Sequence, residues 1–402
     1  MNDPLLYVIR YAELALKGGN RPWFERMLMA NLRSHFKAAE LPCRITRLHG
    51  RLVVETEGDA PLAEAILAHI PGIQNFSPAL TSSHDLNNMA QLGLGLVADA
   101  LQDKPQETTF KVEASRSDKR FPLKSFELAR ELGSLIVPRF PQLKVKMTHP
   151  ELTLGVEVWD QERSMLFLKK IPGQGGLPVG TAGNVMAFIS GGIDSPVAAW
   201  MMMKRGCKLV YLTFHSYPFT PEASKQKVID LVERLSRYQP HSTLLVVPFA
   251  NIQKAIQQEA REKYRTILYR RMMFQVAEAL KERYKIKAYL TGEAVGQVAS
   301  QTLENLACTQ DAASLPVLRP LIGMEKAEIV ALAERIGTFQ TSIQPYDDCC
   351  TLFQPKKPET HGRVETLREE NARIPSQALI EEAISNLEVY HFEAAIKAKF
   401  WA

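Results

Sequence analysis

The residues of this chain best suited to chemistry are two glycines framed by hydroxyls and a carboxylate, in the run Ser190-Gly191-Gly192-Ile193-Asp194-Ser195-Pro196. Glycines let backbone N–H groups approach an anion with no Cβ in the way. Val185 to Ile189, an uncharged β-prone run, comes just before and reads as a strand buried on both faces. A helix is expected next: Ser195 caps it, Pro196 suits its first position, and Gly206 ends it after Lys204. Strand, glycine turn and helix start aim N–H groups and the positive end of a helix dipole at one point, as a polyphosphate requires. Taken alone, the same residues also fit a Gly-rich strand-to-helix turn without ligand.

A Walker loop, GxxxxGK[ST], grips the β and γ phosphates, and no such stretch occurs in the chain. The Ser-Gly-Gly-Ile-Asp-Ser run instead resembles the PP-loop of ATP pyrophosphatases, which cleave between the α and β phosphates and adenylate a substrate oxygen. Asp194 would then act beside the phosphates through Mg²⁺, since a bare carboxylate repels them.

These residues need a scaffold, and 402 residues exceed what one core organises, so two or three domains are expected. With 46% hydrophobic and 23% charged residues the composition is that of an ordinary globular protein. No long apolar run and no basic-then-apolar leader at Met1-Asn2-Asp3-Pro4 occur, which leads us to expect a cytoplasmic protein without a membrane partner. Cys43, Cys207, Cys308, Cys349 and Cys350 are odd in number and lack metal-ligand spacing, so reduced thiols and no structural metal are expected. A net charge of +5 permits a polyanionic partner without requiring one.

The front of the chain reads as βαββα: a strand at Leu5 to Arg10, a helix over Asn20 to Glu40, strands at Arg44 to Leu48 and Arg51 to Thr56 joined at His49-Gly50, and a helix over Leu62 to Ile70. That order predicts a ferredoxin-like domain over 1–75. Lys17 and Arg21, next to glycines in its first loop, are candidate phosphate contacts. A second α+β domain is expected over 76–171, with helices at Leu86 to Leu101 and Phe126 to Val137. Between its elements lie Arg116, Lys119, Arg120 and Lys124, with Phe121 interleaved: a candidate RNA-binding patch, or a solvated charged loop. Gly93-Leu94-Gly95-Leu96-Val97-Ala98 matches a dinucleotide fingerprint by letter, but no strand precedes it, so helix packing is the reading.

The Gly/Pro-rich segment 172–180 is the natural linker. Beyond it, over 181–355, strands alternate with helices, which predicts a doubly wound parallel α/β sheet whose ligands gather at the carboxyl ends of its strands. The Ser190 loop, Phe214-His215-Ser216 and Thr291-Gly292-Glu293 all fall at such ends. After Phe353 a Pro-rich stretch and a helix over Gln377 to Lys399 form a C-terminal helical extension, 356–402.

On this pattern the chain resembles the ThiI family of tRNA 4-thiouridine sulfurtransferases, which combine ferredoxin-like, THUMP and PP-loop adenylation domains. The stretches that carry the likeness are Tyr11-Ala12-Glu13-Leu14-Ala15-Leu16-Lys17-Gly18, Ile171 to Gly180, the PP-loop, Arg270-Arg271-Met272-Met273, Leu318-Arg319-Pro320-Leu321 and, most specifically, Thr291 to Thr302. The resemblance implies that ATP, with Mg²⁺, is held by Phe188, Ile189, Ser190, Gly191, Gly192, Asp194, Ser195, Thr213, Phe214, Arg270, Gly292 and Gln301. It implies sulfur transfer to the uridine at position 8 of tRNA through an adenylated uracil. Cys349 or Cys350 would carry a persulfide supplied by a cysteine desulfurase, with a homodimer as the working form. The chain resembles the short form: no rhodanese domain is expected after Phe353, so sulfur supply to ThiS for thiamine synthesis is left open. Other PP-loop tRNA-modifying enzymes, of the 2-thiouridylase or lysidine synthetase type, and a non-catalytic ATP- and RNA-binding protein are the competing functions.

Overall fold

A computed structural model describes residues 4–48, 50–102, 106–160, 162–346 and 353–394. Its contacts divide the chain into two compact units, one formed by 1–21 with 40–175 and the other by 22–39 with 176–402.

The first unit is built on β1 (Leu5–Arg10), β2 (Cys43–Leu48), β3 (Arg51–Thr56) and β4 (Asn75–Ser83), with the helix α2 (Ala60–His69). To these it adds α3 (Leu86–Leu101), β5 (Thr108–Arg116), α4 (Ser125–Ile136), β6 (Leu143–Val145), β7 (Leu152–Val158), β8 (Arg163–Phe167) and β9 (Ile171–Pro172). One sheet runs β2-β3-β1-β4-β8-β7-β5-β6, with β9 on β4. The continuity comes from β4, whose Asn75 to Ala79 pair with β1 while Leu80 to Ser83 pair with β8. Gly93 lies within α3, where an added Cβ would meet Ile136 at 2.9 Å and Leu154 at 3.1 Å, so this glycine serves helix packing as expected. Where β1, β3 and β7 come together, the buried Glu157 is paired with Arg10 at 3.0 Å and with Arg51. Arg10 also donates to Asn75 and Ser77 and stacks on Phe167.

In the second unit α1 (Arg21–Ala38, of which 22–38 belong here) turns Leu28, Leu32, His35 and Phe36 inward at helical spacing. Asn31 donates to the Val179 carbonyl at 3.1 Å, and His35 is buried with a ring nitrogen 3.1 Å from the Arg237 carbonyl. Burial pushes the His35 pKa below its usual value against the pull of that carbonyl and the Asn31 carbonyl.

The chain continues through β10 (Asn184–Phe188), α5 (Asp194–Lys204), β11 (Lys208–His215), α6 (Glu222–Leu235), β12 (His241–Pro248), α7 (Ala250–Glu259), α8 (Arg265–Leu280) and β13 (Ile286–Leu290). It ends with α9 (Leu303–Gln310), β14 (Val317–Leu318), α10 (Lys326–Arg335), α11 (Phe339–Ser342), α12 (Val364–Ala372), α13 (Ser376–Ser385) and β15 (Glu388–Glu393). The strands lie in the order β14-β13-β10-β11-β12-β15, all parallel except β15, which runs antiparallel to β12. Side chains alternate along β10: Met186 enters a core with α7, α8, α12 and α13, whereas Val185 and Ala187 enter one with α5, α6 and α10. Helices therefore cover both faces, which is why these strands read as continuous apolar runs.

Two expectations are corrected. The helix expected over Gln377 to Lys399 stops at Ser385, and Glu388 to Glu393 form the edge strand β15. Tyr390 and Phe392, two residues apart, pack into the core, a period of two that belongs to a strand. Ser195 does not cap α5, which begins at Asp194; its hydroxyl instead accepts the Ser190 N–H at 2.9 Å and closes the loop on itself. Among the described residues no helix is long and apolar enough to cross a membrane.

Candidate nucleotide site

The carboxyl ends of β10, β11 and β13 open on one cavity of about 260 Å³. Its wall carries Phe188, Ile189, Ser190, Gly192, Asp194, Ser195, Thr213, Phe214, Arg270, Gly292 and Gln301, all expected from the sequence. Gly191, also expected, is buried behind the wall, where an added Cβ would lie 3.1 Å from the Lys227 side chain. Leu212, Met273, Phe274, Thr291 and Glu293 complete the lining; the Thr291-Gly292-Glu293 loop was expected at a strand end, whereas Leu212, Met273 and Phe274 were not singled out as site residues. For the two side chains from α8 the helical spacing from Arg270 was the available signal.

One end of the cavity is apolar and aromatic: Phe188 stacks on Phe214 at 6.2 Å and meets Phe274 edge-on at 4.8 Å. A flat heteroaromatic ring suits such a surface. The other end is polar. The Ser190 hydroxyl lies 3.2 Å from that of Ser195 and 3.3 Å from the Gly192 nitrogen. An added Cβ on Gly292 would sit 2.8 Å from the Ser195 nitrogen and 2.9 Å from the Asp194 carbonyl carbon, so only glycine lets the strand end pass the helix start this closely.

Asp194, the first residue of α5, is met by two groups that sequence reasoning missed. Lys326 at the start of α10 places Nζ 2.5 Å from one carboxylate oxygen, and Gln297 donates to the other at 3.1 Å. A lysine 132 residues away gave no local signal. Glu293 is buried between Arg270 and Arg319, the latter donating at 2.7 Å, and accepts the Thr291 hydroxyl at 2.9 Å. Burial alone would raise its pKa, but the two guanidinium groups outweigh burial and hold it below the ordinary carboxylate value. Arg270 is thereby fixed on the cavity wall. The buried Gln301 amide oxygen has no hydrogen-bond partner among the described residues.

Among the described residues no three His, Cys, Asp or Glu side chains gather to hold a metal. A single carboxylate facing a phosphate-sized space matches Mg²⁺, which binds through one or two carboxylates plus phosphate oxygens rather than in an all-protein cage. Cys349 and Cys350 lie outside the described residues. The chain before them is tied to the pyrophosphate loop: Ser342 donates to the Gly192 carbonyl at 3.3 Å, and buried Lys227 donates to the Gln344 carbonyl at 2.8 Å.

The expected RNA contacts are not gathered in this cavity. Lys17 lies in a 3-10 stretch, and Arg21 donates to the Tyr11 hydroxyl at 3.0 Å. Arg116 is committed to its own loop, donating to the Phe121 and Leu123 carbonyls at 3.0 and 2.9 Å. Arg120 pairs with Asp118 at 2.7 Å, while Lys119 and Lys124 are exposed. Phe121 is buried against His84 and cannot stack on a base; the exposed aromatic of this region is Phe126, which the sequence reading passed over.

Three family models match the chain: the ThiI ferredoxin-like domain over residues 6–77, the THUMP domain over 83–166 and the thiamine biosynthesis protein (ThiI) over 180–375. A "Probable tRNA sulfurtransferase" of Moorella thermoacetica is 43% identical over 386 residues, covering 96% of this chain and 97% of the relative. The chain belongs to the ThiI family. A second relative so named, from Natranaerobius thermophilus, is 41% identical over 396 residues, 96% of this chain and 95% of the relative. Among solved structures, a 4-thiouridine synthetase in complex with RNA and bound ATP superposes with a TM-score of 0.88 at 38% identity, over 97% of this chain and 100% of that one. PH1313 from Pyrococcus horikoshii gives 0.62 at 25% identity, over 83% and 99%.

Proposed function

We propose that this ThiI-family chain is an ATP-dependent tRNA sulfurtransferase that converts a uridine of tRNA, the one at position 8, to 4-thiouridine. The observation that carries the reading is the cavity with an aromatic end for adenine and a glycine-hydroxyl-carboxylate end for phosphates, on a chain that matches tRNA sulfurtransferases over 96% of its length.

In this reading uracil O4 attacks the α-phosphorus of ATP, pyrophosphate leaves, and a sulfur nucleophile later displaces AMP from C4. The loop N–H groups and the Ser190 and Ser195 hydroxyls hold the phosphates, and Arg270, steadied by Glu293, offsets charge as pyrophosphate departs. Lys326 and Gln297 keep the Asp194 carboxylate turned to the phosphate end. Mg²⁺ held by Asp194 would neutralise phosphate charge. Cys349 or Cys350 receives sulfur from a cysteine desulfurase; attachment of the preceding chain to the loop at Gly192 supports that role. The exposed Lys119, Arg120 and Lys124, with Lys17 and Arg21, contribute phosphate contacts to tRNA. The working form is a homodimer, and transfer to ThiS is a second use of the same persulfide. We divide the chain at 1–75, 76–171, 172–180, 181–355 and 356–402 in assigning these roles.

The test is nucleoside analysis of unmodified tRNA incubated with the protein, ATP, Mg²⁺ and sulfide. 4-Thiouridine formed with the parent and absent with Asp194→Ala supports the reading. AMP release without 4-thiouridine contradicts the substrate assigned.

A further inference from the structure

A second cavity, of about 280 Å³, adjoins the nucleotide cavity in the same unit. Arg270 lines both, and the consecutive residues Ser300 and Gln301 line one each.

Its lining is largely apolar, with Ile267 of α8, Val298, Ala299, Pro355 and Pro358, and adds the hydroxyls of Thr266 and Ser300. The proline segment is pinned: Glu359 N–H donates to the Lys263 carbonyl at 3.0 Å, and Asn305 and Thr302 donate to the Glu359 and Thr360 carbonyls, both at 2.7 Å. Lys263 and Glu359, an ion pair at 2.8 Å, also line it. The hydroxyl of Ser300, 6% exposed, has no hydrogen-bond partner among the described residues, nor does that of Thr266 on the same wall. A flat ring with apolar faces and a hydrogen-bonding edge matches this arrangement.

We infer that this cavity receives the target pyrimidine, turned out of the tRNA, with its edge on the Thr266 and Ser300 hydroxyls and its oxygen toward Arg270. The inference rests on the functional reading above and names where its acceptor binds. In-line transfer requires the attacking oxygen to sit beside the α-phosphorus, so the acceptor cavity must share a wall with the nucleotide cavity. Hydroxyls can donate to or accept from a base edge, whereas a guanidinium only donates; Arg270 therefore accepts a 4-oxo group and rejects a 4-amino group. Uracil is bound and cytosine excluded.

Two measurements test it. Thr266→Trp fills the cavity. It is expected to lower kcat/KM for tRNA by tenfold or more while the Kd values for ATP and for tRNA stay within threefold of the parent, with Thr266→Ser restoring turnover. Independently, tRNA carrying 4-thiouridine at the target position is irradiated in complex with the full chain, and cross-linked peptides are identified. Cross-links within 263–270, 298–300 or 354–359 support the assignment. Cross-links confined to other segments, or a Thr266→Trp variant with unchanged kcat/KM or with ATP binding lost as well, overturn it. A parent that binds ATP and tRNA yet forms no 4-thiouridine overturns the functional reading itself, whereas cross-linking still reports on the cavity.

Discussion

Glu157 in the first unit and Glu293 in the second are each buried between two arginines, and the cluster at Glu293 lines the nucleotide cavity. In the first unit Glu157 sits between Arg10 and Arg51, and the remaining Arg10 donors go to Asn75 and Ser77 while its plane covers Phe167. Burial lowers the Arg10 pKa to about 10. In the second unit Glu293 sits between Arg270 and Arg319, and Arg270 forms part of two cavity walls. The same set of two arginines and a glutamate therefore makes a structural joint in one place and a charge device in the other. What distinguishes the second is the cavity that Arg270 lines, which depends on the neighbouring strand ends rather than on the cluster itself.

The largest expected effect lies in the loop that only the second unit has. Asp194→Asn removes the carboxylate shared by Lys326 and Gln297 and is expected to lower 4-thiouridine formation on the order of 100-fold, with the fold intact by circular dichroism. An activity within threefold of the parent would take Asp194 out of the chemistry.

Removing each glutamate separates the two clusters. Glu293→Leu and Glu157→Leu each leave two arginines without their counter-charge and are expected to cost about 3–5 kcal/mol. ATP should raise the Tm of Glu293→Leu more than that of the parent, because the triphosphate restores negative charge beside Arg270. For Glu157→Leu the ATP-induced shift should equal the parent's. Equal shifts in all three proteins would erase the distinction.

A smaller contrast lies within the basic loop of the first unit. Arg116→Ala loses two bonds to carbonyls and is expected to cost about 1.5–3 kcal/mol in urea unfolding. Lys119→Ala should change stability by less than about 0.5 kcal/mol and instead flatten the salt dependence of tRNA binding. The reverse pattern would make Arg116 the RNA contact.

The smallest is a pH effect. The folded pKa of Glu293 is held below its ordinary value of 4.5, so its contribution to stability is complete above that pH and declines as pH falls through the folded value. Stability of the parent should therefore drop more steeply below pH 4.5 than that of Glu293→Leu. Parallel curves would mean that the carboxylate titrates normally.

The sequence made the nucleotide cavity legible because its parts are constrained by backbone chemistry. Ser190 to Ser195 could be read from glycines and hydroxyls, and the strand ends at Phe214 and Thr291 from βα alternation. Lys326, Gln297 and the Glu293 pairings depend on which distant loops the doubly wound sheet brings to one edge, so residue type gave no notice of them. In the loop at Arg116 to Lys124 residue type did not separate committed groups from open ones: Arg116 donates to local carbonyls and Phe121 is buried against His84, while Lys119 and Lys124 are exposed. At the C-terminus, helix-forming residues through Ser385 masked the period-two spacing of Tyr390 and Phe392 in β15.

In the proposed reaction the second unit activates uracil O4 through its own nucleotide cavity. The most direct measurement uses tRNA whose target uracil carries a heavy oxygen isotope at O4, with mass analysis of the AMP released. The account predicts one labelled oxygen in AMP for each 4-thiouridine formed. 4-Thiouridine formed with unlabelled AMP would contradict it.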